Sequence, residues 1–199
     1  KYPKLNFQWR YVVVVDVWMK NRCVKVGLPN GKVADILSSV IDEMRTWIQD
    51  TEEKPESGGY IVGYQHKESE NISLENISHP YSHDERNRVR FCIRDVHHEL
   101  FLRKAKRQKS YYMGVWHTHP QRVPIPSDID WEDCKATMRE DRTGCQYVFF
   151  IIVGTNEWRA WVGDSLTGKI TEVYECKKDS DGIYQGKAMQ ENVGSSEEA

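Results

Sequence analysis

Residues 116–131 read WHTHPQRVPIPSDIDW and constrain the fold more than any other part of the chain. The run ahead of them, Tyr111 to Trp116 (YYMGVW), is aromatic and β-branched, as a strand on a pleated surface is. His117 and His119 extend that strand. Alternate strand side chains share a face, so both imidazoles point one way and Thr118 the other. Pro120 stops sheet pairing, and Pro124 and Pro126 stiffen the connection. Ser127 then opens a helical pattern with Asp130 in its first turn. The chain must leave a strand, turn and enter a helix within a short span, and a fold-back of the loop brings a carboxylate beside two imidazoles. Two His and one carboxylate, with a fourth position left to water, are a catalytic zinc set.

Taken singly, these elements are ordinary. H-x-H pairs are common on surfaces, and Ser127-x-x-Asp130 is also close to a helix capping box. A capped helix and a ligand Asp130 are compatible, because the cap holds the carboxylate rigidly. Upstream, Glu56 ends a polar loop, 51–57, beside Gly58-Gly59. Glycines permit close backbone approach and unusual φ, which a carboxylate projecting into a site needs.

The pattern H-x-H-P, seven residues between His119 and Ser127, then S-x-x-D, resembles the JAMM (MPN+, JAB) metalloprotease motif. Glu56-Ser57-Gly58-Gly59-Tyr60-Ile61-Val62-Gly63 is similar to the E-x-G-G-x-x-x-G form of prokaryotic JAB proteins. The resemblance runs from about Val33 to about Gly163. It implies an α/β fold with a mixed, curved sheet flanked by helices, the JAB/MPN, cytidine-deaminase-like architecture. It implies one Zn2+ per chain on His117, His119 and Asp130. Glu56 would be general base and then acid, outside the metal's own ligands, and Ser127 would donate to the oxyanion.

The form G-x-W-H-T-H-P and P-x-P-S-x-x-D-W looks like JAB proteins encoded beside E1- and E2-like enzymes, some in CBASS antiphage operons. That implies an isopeptidase acting on a protein with an extended C-terminal tail, a ubiquitin-like protein or a conjugated CD-NTase, with an E1/E2-like partner. Two other readings stay open: a processing peptidase maturing a ubiquitin-like or sulfur-carrier protein, and a metal-free MPN interaction module. H-x-H also occurs in amidohydrolase-type barrels, but those take about 250 residues and eight βα units, more than this chain offers.

The net charge of −2 and pI near 6.4 give no electrostatic reason to expect nucleic acid. Five scattered cysteines without a C-x-x-C pair suggest reduced thiols and a cytoplasmic setting. No apolar run approaches the ~20 residues of a membrane helix, and no signal peptide is visible.

Along the chain, Trp9–Trp18 reads as a strand and Cys23–Val26 as its hairpin partner. Asn30-Gly31 signals a turn. Apolar residues at 33, 36, 37, 40, 41, 44, 47 and 48 predict one helix over Val33–Asp50. Strands are expected at Tyr60–Gln65, Asn71–Ser78, Gln146–Val153, Glu157–Gly163 and Lys169–Cys176, and helices at Asp95–Lys109 and Ser127–Glu140. His79–Arg94 reads as a charged surface loop, which the resemblance places beside the cleft. Its histidines, and His97-His98, are not expected to bind metal. The domain is expected over 1–176, and 177–199, poor in apolar residues, as a polar, disordered tail.

Overall fold

The structure, a computed structural model, describes residues 23–140, 144–178 and 184–185. Its strands are β1 (Cys23–Gly27), β2 (Val33–Leu37), β3 (Gly58–Gln65), β4 (Ile72–Ile77), β5 (Glu85–Asn87), β6 (Arg90–Cys92), β7 (Tyr111–Thr118), β8 (Tyr147–Val153), β9 (Trp158–Asp164), β10 (Ile170–Val173), β11 (Lys177–Lys178) and β12 (Tyr184–Gln185). The helices are α1 (Ser38–Arg45), α2 (His97–Arg107) and α3 (Asp128–Glu140). The expected strand at Trp9–Trp18 lies outside the described residues, as does most of the expected tail; Lys177–Lys178 pairs with Tyr184–Gln185.

One sheet organises the molecule, in the order β1-β2-β4-β3-β7-β8-β9-β10. It is mixed: β2–β4 and β7–β8 are parallel, and the other pairs are antiparallel. Parallel neighbours need a crossover, and α3 lies within the one between β7 and β8. The sheet curls until its ends meet. Beyond β10, Cys176 N–H donates to Lys25 O at 2.7 Å, Gly27 N–H donates to Tyr174 O at 3.2 Å, and Val26 bridges Glu175. The α/β architecture implied by the resemblance is the one observed.

The β8 sequence YVFFIIV is buried throughout because both of its faces are covered. Tyr147, Phe149, Ile151 and Val153 enter the main core with Ile36, Leu74 and Met113. Val148, Phe150 and Ile152 face Trp161, with Trp131, Cys134 and Met138 of α3 packed on them. The β7–β8 crossover helix is thereby seated on the sheet.

The single helix expected over Val33–Asp50 is corrected. Its first five residues are β2, hydrogen-bonded to β1 on one side and β4 on the other. Ala34 and Ile36, both fully buried, obey a period of two that the helical spacing had masked. Sheet pairing overrides helical periodicity here. Only Ser38–Arg45 is helical, burying Val40, Ile41 and Met44. The expected loop 79–94 contains a hairpin, β5 paired with β6.

Glycines 58 and 59 serve close approach, as expected, but not unusual φ, since neither has positive φ. A Cβ on Gly59 would stand 2.2 Å from Ser78 O, and one on Gly58 2.5 Å from Trp116 O.

Candidate active site and metal centre

The end of β7 presents the histidines as the strand period requires. His117 Nε2 and His119 Nε2 are 3.1 Å apart. Thr118 turns the other way and is fully buried. Its Oγ1 accepts from Ser57 N–H at 3.0 Å and donates to Gln49 Oε1 at 3.2 Å. Past the strand, His119 N–H still donates to Val153 O at 2.9 Å, keeping its ring in register with β8.

The proline-bearing loop is bolted to the β8–β9 turn. Thr155 N–H donates to Gln121 O at 2.9 Å, and the amides of Asn156 and Glu157 donate to Arg122 O at 3.1 and 3.0 Å. Arg159 donates to Pro124 O at 3.3 Å while holding Glu172 through two 2.7 Å bonds. A Cβ on Gly154 would meet Gln121 O at 2.5 Å, so only glycine lets the loop lie this close.

Ser127 caps α3. Asp130 N–H donates to Ser127 Oγ at 3.2 Å, and Ser127 N–H donates to Asp130 Oδ2 at 2.5 Å, a reciprocal capping box. The Ser127 hydroxyl donates to the same Asp130 oxygen at 2.6 Å. Asp130 is thereby turned into the site, with Oδ1 3.2 Å from His117 Nε2 and Oδ2 3.4 Å from His119 Nε2.

Glu56 completes the group from the opposite side. It is buried at 5% exposure, and its Oε1 lies 3.9 Å from His117 Nε2. Glu56, His117 and His119 offer ligand atoms all within 4.8 Å of one another, but Asp130 stands nearer to both rings.

The electrostatics follow from burial and mutual approach. Burial raises the Glu56 carboxyl above its ordinary value, against the nearby imidazoles. Burial would also raise Asp130, but bonds from His117, His119 and Ser127 outweigh it and hold that carboxyl far below the carboxylate range. Burial pulls His119 down, yet Asp130 and Glu56 raise it on balance. Two neighbouring carboxyls are thus pushed in opposite directions, one toward proton carriage and one toward permanent charge.

The donor set fits zinc. Tetrahedral Zn–N and Zn–O bonds of about 2.0–2.1 Å place ligand atoms about 3.3 Å from one another. The two imidazole nitrogens are 3.1 Å apart, and each has its own Asp130 oxygen beside it, Oδ1 3.2 Å from His117 and Oδ2 3.4 Å from His119, so the donors already crowd to about that spacing. A cation is also what would relieve two imidazole nitrogens and a carboxylate converging on one point.

Beside the group runs a cleft of about 490 Å³, with Arg90–Arg94 of the hairpin on one wall and Trp131, Asp133 and Thr137 of α3 on the other. Arg86, Asp84 and His98 were not expected to matter. His98 is fully buried, with Nδ1 2.7 Å from Ser78 Oγ and Nε2 2.8 Å from Asp84 Oδ2. Asp84 Oδ1 accepts from the amides of Arg94 and Asp95, closing the base of the hairpin. No local spacing marks these residues out within a charge-dense segment.

The family described as prokaryotic homologs of the JAB domain matches residues 37–163. The chain belongs to the prokaryotic JAB family. Similar curated proteins carry the name CD-NTase/cGAS isopeptidase. One, from Vibrio cholerae, is 29% identical over 139 residues, 68% of this chain and 84% of the relative. Another, from Escherichia coli, is 26% identical over 141 residues, 69% and 85% of the two chains. A third, from Pseudomonas aeruginosa, is 29% identical over 124 residues, 59% and 75%. Every proposed site residue lies inside the matched JAB segment. No helix among the described residues is long and apolar enough to cross a membrane.

Proposed function

We propose that this JAB protein is a cytoplasmic zinc isopeptidase that releases a CD-NTase from the target lysine to which its C-terminus has been joined. It would thereby oppose an E1/E2-like conjugation system in antiphage defence. The observation that carries the reading is the convergence of two imidazole nitrogens 3.1 Å apart with the Asp130 carboxylate within 3.4 Å of each, and with Glu56 alongside. The names of its relatives support the choice of substrate.

His117, His119 and Asp130 would hold the ion. Zinc so held would supply an acidified water, its pKa lowered from about 15.7 to near 7, and an electrophile for the scissile carbonyl. Glu56 takes one proton from the attacking water as the new C–O bond forms at the carbonyl carbon. It then gives that proton to the lysine nitrogen as the C–N bond breaks, leaving an amine and a carboxylic acid, whose remaining proton passes to the amine or to solvent to give the ammonium or the carboxylate tail. Its raised affinity for a proton suits it to both halves. Ser127 donates its hydroxyl proton to the developing oxyanion, which requires that proton to turn away from Asp130 Oδ2. The cleft between hairpin and α3 takes the extended tail.

The test uses a CD-NTase whose C-terminal carboxyl is linked to the Nε of a lysine in a fluorescent peptide. The comparison substrate has the same protein linked to the peptide's α-amine. The reading expects release from the first with zinc bound. Release from the second alone would make the chain a processing peptidase. Zinc-free protein, inert on both, would make it an interaction module.

A further inference from the structure

The sheet stops one residue short of Glu56. Thr118 of β7 pairs with Ser57 through both its amide and its hydroxyl. The peptide groups of Glu56 go instead to β5 of the hairpin. Glu56 N–H donates to Asn87 O at 2.7 Å. Arg86 Nε donates to Glu56 O at 2.9 Å, and Arg86 Nη2 donates to Ser57 Oγ at 2.5 Å.

Arg86 is an unusual choice for a merely structural clamp. It is partly buried, and burial lowers its pKa against the opposing pull of the Asp84 carboxylate. Among the described residues it makes no ion pair with a carboxylate. Its guanidinium instead lies over the Trp47 ring, 5.8 Å from the centroid. A rigid planar fork delivers two donors at fixed angles, which a lysine cannot do. The same hairpin forms a wall of the cleft. Arg86 pairs in register with Phe91, which lines that wall. The hairpin in turn is pinned at its base by the buried Asp84–His98–Ser78 chain.

We propose that Arg86 is a positioning residue for Glu56, setting the backbone of residue 56 so that its carboxylate meets the attacking water and the leaving amine. The inference rests on the proposed reaction for its kinetic consequence but not for its structural one. Misplacing a catalytic group by about 1 Å costs about 100-fold in rate.

The test compares Arg86→Ala and Arg86→Lys in the zinc-loaded full chain. Amide hydrogen exchange is read residue by residue, alongside zinc content, kcat and KM on the lysine-linked probe. Arg86→Ala is expected to speed exchange at Glu56 by about 10-fold or more, while β3 amides stay protected and zinc stays at one per chain. Its kcat should fall about 10- to 100-fold with little change in KM, and Arg86→Lys should fall between. In a Glu56→Asp background, Arg86→Ala should cost only a few-fold more, because both changes act on one step.

Unchanged protection at Glu56 would overturn the proposal, and so would a rise in KM alone or fully multiplicative losses in the double variant. Should Arg86→Ala not fold, Arg86→Lys carries the same exchange and kcat readings. A wild-type chain that binds zinc but leaves the probe intact refutes the reaction, and the exchange data still decide the role of Arg86.

Discussion

Asp130 Oδ1 lies 3.2 Å from His117 Nε2, joining the first turn of α3 to the end of β7. If that contact marks two ligands of one ion, removing either side has a different signature from removing Glu56. His119→Ala and Asp130→Ala should lose both zinc and cleavage. Glu56→Ala should keep zinc and fold while losing cleavage by about 100-fold or more. Chelation should lower the melting temperature of the native chain and of Glu56→Ala, but not that of Asp130→Ala. Metal analysis with calorimetry checks all three. Normal cleavage by Glu56→Ala would remove the general-base assignment.

Ser127 carries two duties that can be separated. Ser127→Ala loses the N-cap, worth about 1 kcal/mol, and the hydroxyl aimed at Asp130 Oδ2. Loss of the cap shows as a lower melting temperature. An oxyanion role shows in addition as a fall in kcat of about 100-fold. Ser127→Gly, tolerated at an N-cap at a cost of only about a few tenths of a kcal/mol but with no hydroxyl to donate to an oxyanion, should recover much of the stability and none of the rate.

Gly59 and Gly31 should fail in different ways. A Cβ on Gly59 meets backbone, Ser78 O, at 2.2 Å, so Gly59→Ala must part β3 from the end of β4. A cost above about 3 kcal/mol is expected, at the upper end for single substitutions. Gly31 has open space around it but φ +79°, so Gly31→Ala should cost only about 1–2 kcal/mol. Urea denaturation of the two variants side by side tests the ranking.

Cys134, on the sheet-facing side of α3, should be chemically silent. Burial, with Asp130 and Asp133 nearby, pushes its thiol up to about 12. At pH 8 its thiolate fraction is then about one in 10⁴. Iodoacetamide followed by peptide mapping should label exposed Cys23 long before Cys134. Early labelling of Cys134 would mean that α3 lifts from the sheet.

Acid should loosen the base of the hairpin. Burial would raise Asp84, but the amides of Arg94, Tyr81 and Asp95 and the ring of His98 outweigh it and lower its pKa. Asp95 is lowered chiefly by the His97 amide. Groups depressed on folding stabilise above their unfolded pKa, about 3.9, and lose that contribution as pH falls through the folded values. Stability should therefore decline below about pH 4. Asp84→Asn should be less stable at pH 7, by about 3 kcal/mol where a buried partner is stranded, yet flatter between pH 5 and pH 2. Denaturation curves across that range decide it.

Local patterns specified most elements: the strand into H-x-H, the unbroken β8, the capped α3, and glycines 58 and 59 where backbones touch. Strand alternation and a capping box also directed attention to His117, His119, Ser127 and Asp130, because they fix direction within a few residues; the role expected of Glu56 came from the family resemblance. The sequence could not tell that Val33–Leu37 is a strand, since its partners β1 and β4 come from separate parts of the chain and sheet pairing is non-local. Nor could it single out Arg86, Asp84 or His98, whose roles exist only when a hairpin folds back over Glu56. Directions of side chains are written in nearest-neighbour spacing; which distant backbone a donor will meet is decided by tertiary packing, where burial makes an unmet polar group costly.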